Sequence, residues 1–252
     1  GNKGYQPGPS IRICLTRLGR GVAHSLCTGV SRTVQVLVSE ALAAVKASFL
    51  YSPDNTEQPK AVSSMEKLRS AVIGIGATGT VLAAALLNNN PETALVGHRP
   101  ELKDKVLQEG ITVSGTLNYQ APVINFFDQI ADLKGYKPEV VFIASKTFHL
   151  PAILKELQEI FVPGMKIVST HNGLGTEDVL ADVFGPEAVF RMSLNYGASV
   201  QGPGEVSTAF FNPPNPLGGL VFENQEIGSR IAASLSAGGL DTDYVEDIKL
   251  HV

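Results

Sequence analysis

Short apolar runs alternate with helix-like patterns along most of the chain after residue 69. Four of these runs have the length of buried strands: 70–75, 93–97, 139–144 and 166–170. Strands that alternate with helices are typical of βαβ units, in which helices cover a parallel sheet. The pattern therefore predicts an α/β fold with a Rossmann-like, mostly parallel sheet and helices on both faces.

Four helices are predicted between and after these strands. An alanine- and leucine-rich stretch follows Gly79, and a charged helix over 100–110 ends in a glycine that suits a C-cap. Residues 148–161 repeat apolar positions at helical spacing, with Pro151 tolerable only in the first turn. The last helix is expected at about 225–237.

Further strands are predicted outside the βαβ units. Residues 111–124 have the pattern of a small hairpin inserted before the sheet resumes. Beyond residue 185, AVFRMSLNYGASV, GEVSTAFF and LGGLVFE predict three strands separated by Gly, Pro and Asn turns. We expect these three to extend the main sheet in antiparallel fashion. A strand near 241–246 follows, and 247–252 begin another helix.

Residues 1–64 do not match the rest of the chain. They carry seven Lys and Arg residues against three Asp and Glu, and the first methionine, Met65, lies just before the first strand. Residues 1–36 hold five basic and no acidic residues, which also suits an organellar targeting segment. We expect a tag, a mis-started extension or such a targeting segment, and we assign it no function.

Charge and composition exclude several classes of protein. The remainder of the chain carries a net charge of −8, which argues against nucleic acid as the main partner. The most apolar stretch, Val34–Tyr51, is interrupted by Glu40 and Lys46, so no membrane span is expected. Cys14 and Cys27 are too few for a disulfide framework or a Cys-based zinc site, and no metal is predicted. We expect a cytoplasmic protein.

The clearest chemical motif is a glycine-rich turn between the first strand and the first helix, Gly74-Ile75-Gly76-Ala77-Thr78-Gly79. Here Gly74 permits the tight turn, Gly76 lets the backbone approach a pyrophosphate, and Gly79 lets the helix pack closely on its strand. The helix N-terminus adds N–H groups and a positive dipole end. The turn predicts dinucleotide binding, with a turn used only for packing as the alternative.

Arg99 is the residue expected to select the cofactor. An Asp or Glu at the end of the second strand would bind the ribose hydroxyls of NAD, but this chain has Gly97-His98-Arg99-Pro100 there. A guanidinium with no carboxylate beside it suits a 2′-phosphate, which indicates NADP(H). The alternative is that Arg99 is a solvated residue at a helix start.

Two polar residues follow the next strands on the ligand side of the sheet. Lys146 comes directly after the third predicted strand, and it is either a solvated loop charge or a contact to cofactor and anionic substrate. Asn172 follows the fourth, and it either faces the ligand or forms a turn with Gly173. His171 is interpreted as structural, because a histidine closing a strand is more often satisfied locally than catalytic.

The order and spacing of GIGATG, VGHR, IASKTF and STHNGLGT resemble the ketopantoate reductases (2-dehydropantoate 2-reductases), over about residues 67–252. The HNGLGT motif is the most specific element. The resemblance implies an NADP-binding domain at 65–246. It also implies roles in binding the pyrophosphate, the 2′-phosphate and the nicotinamide and substrate end for Gly74, Gly76, Gly79, Arg99, Lys146 and Asn172.

The resemblance further implies NADPH-dependent reduction of a 2-oxo acid, most specifically 2-dehydropantoate to pantoate in pantothenate biosynthesis. The family's general acid is a lysine in a helix after the nucleotide domain. By this likeness 247–252 would start a truncated helical domain, with that lysine beyond Val252, because Lys249 falls about one turn early. A non-enzymatic NADP(H)-binding sensor or regulatory module remains the rival hypothesis.

Overall fold

The computed structural model of the protein describes residues 67–173 and 175–251. Its strands are β1 (Ser70–Ile73), β2 (Ala94–Val96), β3 (Ile111–Gly115), β4 (Tyr119–Ala121), β5 (Asn125–Phe127), β6 (Val140–Ile143), β7 (Lys166–Ser169), β8 (Val189–Met192), β9 (Tyr196–Gly202), β10 (Glu205–Phe211), β11 (Asn215–Gly219) and β12 (Thr242–Tyr244). Its α-helices are α1 (Ala77–Asn89), α2 (Pro100–Glu109), α3 (Leu133–Tyr136), α4 (Leu150–Gln158), α5 (Thr176–Phe184) and α6 (Gln225–Ala237).

The main sheet has eight strands in the order β12-β11-β8-β7-β6-β1-β2-β5. The six strands from β5 to β8 are parallel, and β11 pairs antiparallel with β8. In chain order, the main sheet begins with β1 and grows on one side of it through β2 to β5. The chain then returns, and β6 pairs with the other side of β1. This reversal leaves a crevice at the carboxyl ends of β1 and β6, the usual ligand site of such sheets. The predicted Rossmann-like, mostly parallel sheet is confirmed.

Apolar layers cover both faces of this sheet, because successive strand residues point to opposite sides. On one face, Val72 of β1 and Phe142 of β6 pack with α1 and α6. On the other, Ala71 and Ile73 of β1 pack with α3, α4 and α5. The prediction of helices on both faces is therefore correct.

A second sheet corrects the prediction that all three strands after residue 185 extend the main sheet. Its order is β4-β3-β10-β9: β3 and β4 form the predicted hairpin, while β10 runs parallel to β3 and antiparallel to β9. Of the strands that these three segments form, β8 and β11 join the main sheet and β9 and β10 join the second sheet. The second sheet packs on α1, which explains why residues 79–87 are all buried and α1 has no polar face.

Smaller differences lie at the element ends and in three short elements. The predicted strand 70–75 ends at Ile73, and 148–161 divides into a 3-10 turn at Thr147–His149 followed by α4, with Pro151 in its first turn as expected. The elements β5, α3 and α5 were not predicted. Residues 248–251 form a 3-10 helix. The N-terminal extension and Val252 lie outside the described residues, within which no helix has the length and apolar character to cross a membrane.

Candidate functional site

A cavity of about 620 Å³ opens at the carboxyl ends of four parallel strands. Its walls include Ile73 at the end of β1, Val96 at the end of β2, Ala144 just past β6 and Thr170 just past β7. This position coincides with the point where the strand order reverses. The cavity is therefore the default ligand site of the fold.

The glycine-rich turn forms the floor of the cavity. Gly74 has a φ of +97°, and a Cβ placed on it would lie 2.7 Å from the backbone nitrogen of Ser145. The turn can come this close to the chain after β6 only with glycine at this position. The amide N–H of Gly74 also donates to the carbonyl oxygen of Val96, at 3.1 Å, which ties the turn to β2.

Gly76 and the start of α1 provide room and donors for an anion. A Cβ on Gly76 would meet nothing within 4 Å, so the backbone is open toward the cavity at this position. Gly76 is the N-cap of α1, and no side chain caps the helix. The first N–H groups and the positive dipole end of α1 thus suit the pyrophosphate of a dinucleotide.

Gly79 has a different position from the rest of the turn. It is buried and does not line the cavity, and a Cβ on it would overlap the carbonyl oxygen of Gly74 and lie 3.1 Å from Cβ of Ala144. Close packing of α1 on the sheet therefore requires this glycine. The expected packing role of Gly79 agrees with these contacts, and its contact to the pyrophosphate stays a prediction.

The exposed Arg99 lies at the β2 side of the cavity. Its Nη2 donates to the carbonyl oxygen of Ile75 at 3.1 Å, so the guanidinium is held beside the glycine-rich turn. Gly97, His98 and Arg99 all line the cavity, and none of them is acidic. This edge therefore offers a cation to a phosphate and no carboxylate to a ribose hydroxyl.

Lys146 and Asn172 lie on the β6 and β7 side. Both are exposed cavity residues: Lys146 is the N-cap of the 3-10 turn after β6, and Asn172 follows β7. The carboxyl ends of neighbouring parallel strands bring an ammonium group and a side-chain amide to one wall. Eight of the nine predicted site residues thus line one cavity, all except Gly79.

A buried ion pair supports the loop that carries Asn172. Arg191 of β8 is 1% exposed and pairs with Glu177 of α5, which is 3% exposed. Arg191 also donates through Nη1 to the carbonyl oxygen of Gly173 at 2.9 Å, and through Nη2 to that of His171 at 3.4 Å. The carbonyls on both sides of Asn172 are thus held by one guanidinium.

His171 is the buried member of the same loop. Its Nδ1 lies 3.0 Å from Oγ of Ser169, so the expected local hydrogen bond is present. Burial first, and the Arg191 guanidinium second, lower the pKa of His171 from its ordinary value of 6.5. This shift favours the neutral imidazole, and the ring also lines the cavity.

The family model described as "Ketopantoate reductase PanE/ApbA" matches residues 70–214. The chain belongs to the ketopantoate reductase family. It is 27% identical over 135 residues to a 2-dehydropantoate 2-reductase of Pyrococcus abyssi. The fold is similar to that of the 2-dehydropantoate 2-reductase of Geobacter metallireducens GS-15, with a TM-score of 0.64 and 22% identity over 73% of this chain. It is also similar to D-mandelate dehydrogenase in a ternary structure with NADH and anilino(oxo)acetate, with a TM-score of 0.61 and 19% identity over 72% of this chain.

The match covers only part of the length of each of these three relatives. It involves 54% of this chain and 42% of the Pyrococcus protein, and the chain covers 60% of the Geobacter structure and 58% of the D-mandelate dehydrogenase structure. The resemblance seen in the motifs is confirmed at the level of the family. These relatives are oxidoreductases of 2-oxo and 2-hydroxy acids by name.

Sequence patterns missed the buried residues around this cavity. Arg191 lies in an apolar strand whose four residues are all buried, and a charge in such a run signals a buried partner. Glu177 falls in α5, which was not predicted. His171 was assigned to local structure alone, although the structure also places it on the cavity wall.

Proposed function

We propose that this chain binds NADPH and takes part in the reduction of a 2-oxo acid, most specifically 2-dehydropantoate to pantoate. The observation that carries the proposal is the single cavity that collects the glycine-rich turn, Arg99, Lys146 and Asn172 at the switch point of the sheet. Family membership and the names of the relatives agree with it.

Each part of the cavity suits one part of the reaction. The turn and the start of α1 bind the pyrophosphate, and Arg99 binds the 2′-phosphate. A nicotinamide cofactor supplies the hydride. At the opposite wall, the Lys146 ammonium attracts the carboxylate of the substrate, and the Asn172 amide orients its carbonyl group. A charge clamp and an oriented carbonyl are two requirements of 2-oxo acid reduction.

Replacement of Arg99 tests the cofactor choice. We expect the unmodified chain to bind NADPH more tightly than NADH, and Arg99→Asp to reverse this order, because a carboxylate repels the 2′-phosphate and can accept from ribose hydroxyls. Fluorescence titration with both cofactors measures it. Lys134→Asp, the same charge change at an exposed position outside the cavity, should leave the preference unaltered. Equal affinities in the unmodified chain would contradict the proposal.

Turnover is tested in a fusion. In this fusion protein, residues 65–252 are joined to the part of the Geobacter metallireducens protein that this chain does not cover. We expect NADPH oxidation that depends on 2-dehydropantoate, measured by the loss of NADPH absorbance. Asn172→Ala and Lys146→Ala should each lower kcat/KM about 10²-fold through lost orientation, with little change in Tm because both side chains are exposed. Lys134→Ala is the matched control.

The fusion also separates the rival hypothesis. A fusion that binds NADPH but reduces none of a panel of 2-oxo acids would overturn the reductase assignment and favour a non-enzymatic NADP(H)-binding sensor. A fusion that reduces other 2-oxo acids better than 2-dehydropantoate would keep the reaction and correct the substrate.

A further inference from the structure

One ring nitrogen of His171 forms a hydrogen bond within the described residues, and the other does not. The residue is 5% exposed and lines the cavity next to Asn172. Its Nε2 atom is buried and has no hydrogen-bond partner among residues 67–173 and 175–251. A buried polar atom without a partner is costly, so a native fold that keeps one at a cavity wall gives a reason to look for a ligand group that completes it.

A chain of hydrogen bonds behind the ring favours one of its two neutral tautomers. Glu177 is ion-paired with Arg191, so its carboxylate only accepts, and the hydroxyl of Thr176 donates to its Oε2 at 3.4 Å. Oγ1 of Thr176 also lies 2.9 Å from Oγ of Ser169, a pair in which either hydroxyl can donate. With the Thr176 proton on the charged carboxylate, which is the stronger acceptor, Ser169 donates to Thr176 and accepts from Nδ1–H of His171, at 3.0 Å.

This arrangement places the proton of the neutral ring on Nδ1 and leaves a lone pair on Nε2. The neutral form of the ring is favoured because burial and the Arg191 guanidinium both lower the pKa of His171.

We propose that His171 is a ligand-binding residue whose Nε2 accepts a hydrogen bond from an N–H or O–H donor of the bound ligand. Ser169, Thr176 and Glu177 are positioning residues that fix the accepting tautomer. The inference rests on the proposed function for the identity of the ligand. Two groups supply a suitable donor: the carboxamide NH₂ of the nicotinamide and the hydroxyl of the 2-hydroxy acid product.

Nitrogen-15 NMR of the 252-residue chain tests the tautomer without reference to activity. We expect a pyrrole-like shift for Nδ1 and a pyridine-like shift for Nε2 of His171 at neutral pH. Ser169→Ala, which removes the acceptor at Nδ1, should move the ring toward the Nε2–H tautomer. An Nε2–H ring in the unmodified chain would overturn the proposal.

Ligand addition distinguishes the two donors. A change in the Nε2 shift on saturation with NADP⁺ alone assigns the donor to the cofactor, and a change only after pantoate is added assigns it to the product. NADPH binding is measured separately by fluorescence. Absence of NADPH binding would count against the proposed function, whereas binding of NADP⁺ and pantoate with an unchanged Nε2 shift would overturn the role of His171 alone.

Two substitutions compare the ring nitrogens. His171→Asn places an amide nitrogen near the position of Nδ1, where it can donate to Ser169, but nothing near that of Nε2. His171→Gln reaches the position of Nε2 with an amide oxygen that accepts. We expect His171→Asn to weaken binding of the ligand that changes the Nε2 shift by about tenfold, and His171→Gln to keep most of the original affinity. Equal loss in both variants, or no loss in either, would contradict an acceptor role.

Discussion

A chain carrying Gly76→Asp is expected to fold normally and to lose NADPH binding. Gly76 has a φ of −95°, which any residue adopts, and its Cβ would meet nothing within 4 Å. Aspartate is moreover a preferred N-cap residue, so α1 should be unaffected or stabilised. The new carboxylate would however lie where α1 offers its N–H groups to phosphates. Like charges in contact cost several kcal/mol, which corresponds to an affinity loss of about 10²-fold or more.

The measurements are Tm and the Kd for NADPH. Gly135→Asp is the matched control, because a Cβ there also meets nothing within 4 Å but the residue lies outside the cavity. It should change neither quantity appreciably. Gly79→Ala provides the opposite case: its Cβ would overlap the Gly74 carbonyl, so Tm should fall by about 5 °C or more. If Gly76→Asp keeps normal NADPH affinity, the phosphates do not bind at the start of α1.

The part of the site that sequence patterns predict is the part encoded locally. The glycine-rich turn has a strand before it and a helix after it within about 20 residues, so its spacing is enough to predict its geometry. Arg99, Lys146 and Asn172 each directly follow a predicted strand. Parallel strands end at one edge, and this rule brings the three residues to one cavity although they are far apart in the chain.

The second sheet could not be predicted in the same way, because its central pairing is between distant segments. Strand β10 pairs with β3, with Glu205 opposite Thr112, and no local pattern specifies that partner. An indirect signal did exist in α1. Its alanine- and leucine-rich sequence lacks a polar face, and a helix that is apolar all round is covered on more than one side.

Glu177 and Arg191 form a buried ion pair, with side chains 3% and 1% exposed. Removing one partner leaves a charge in the interior, which typically costs about 3–5 kcal/mol. Glu177→Leu or Arg191→Met alone should therefore lower Tm by roughly 6–20 °C in a domain of this size. Replacing both partners at once leaves no buried charge, and an apolar pair of similar volume is often neutral or stabilising. The double variant should regain most of the lost Tm.

An exposed pair serves as the control. Nζ of Lys103 lies 2.5 Å from Oδ2 of Asp128, and the two side chains are 30% and 56% exposed. Lys103→Met should therefore change Tm by only about 2 °C or less. The double variant also lacks the loop contacts, because a methionine in place of Arg191 cannot donate to the carbonyls of His171 and Gly173, and it lacks the carboxylate that accepts from Thr176. We expect the double variant to be stable, but to bind the ligand that changes the His171 Nε2 shift more weakly than the unmodified chain does. Amide hydrogen exchange at residues 171–173 should be faster. Single variants as stable as the unmodified chain would show that the two charges are not buried as a pair.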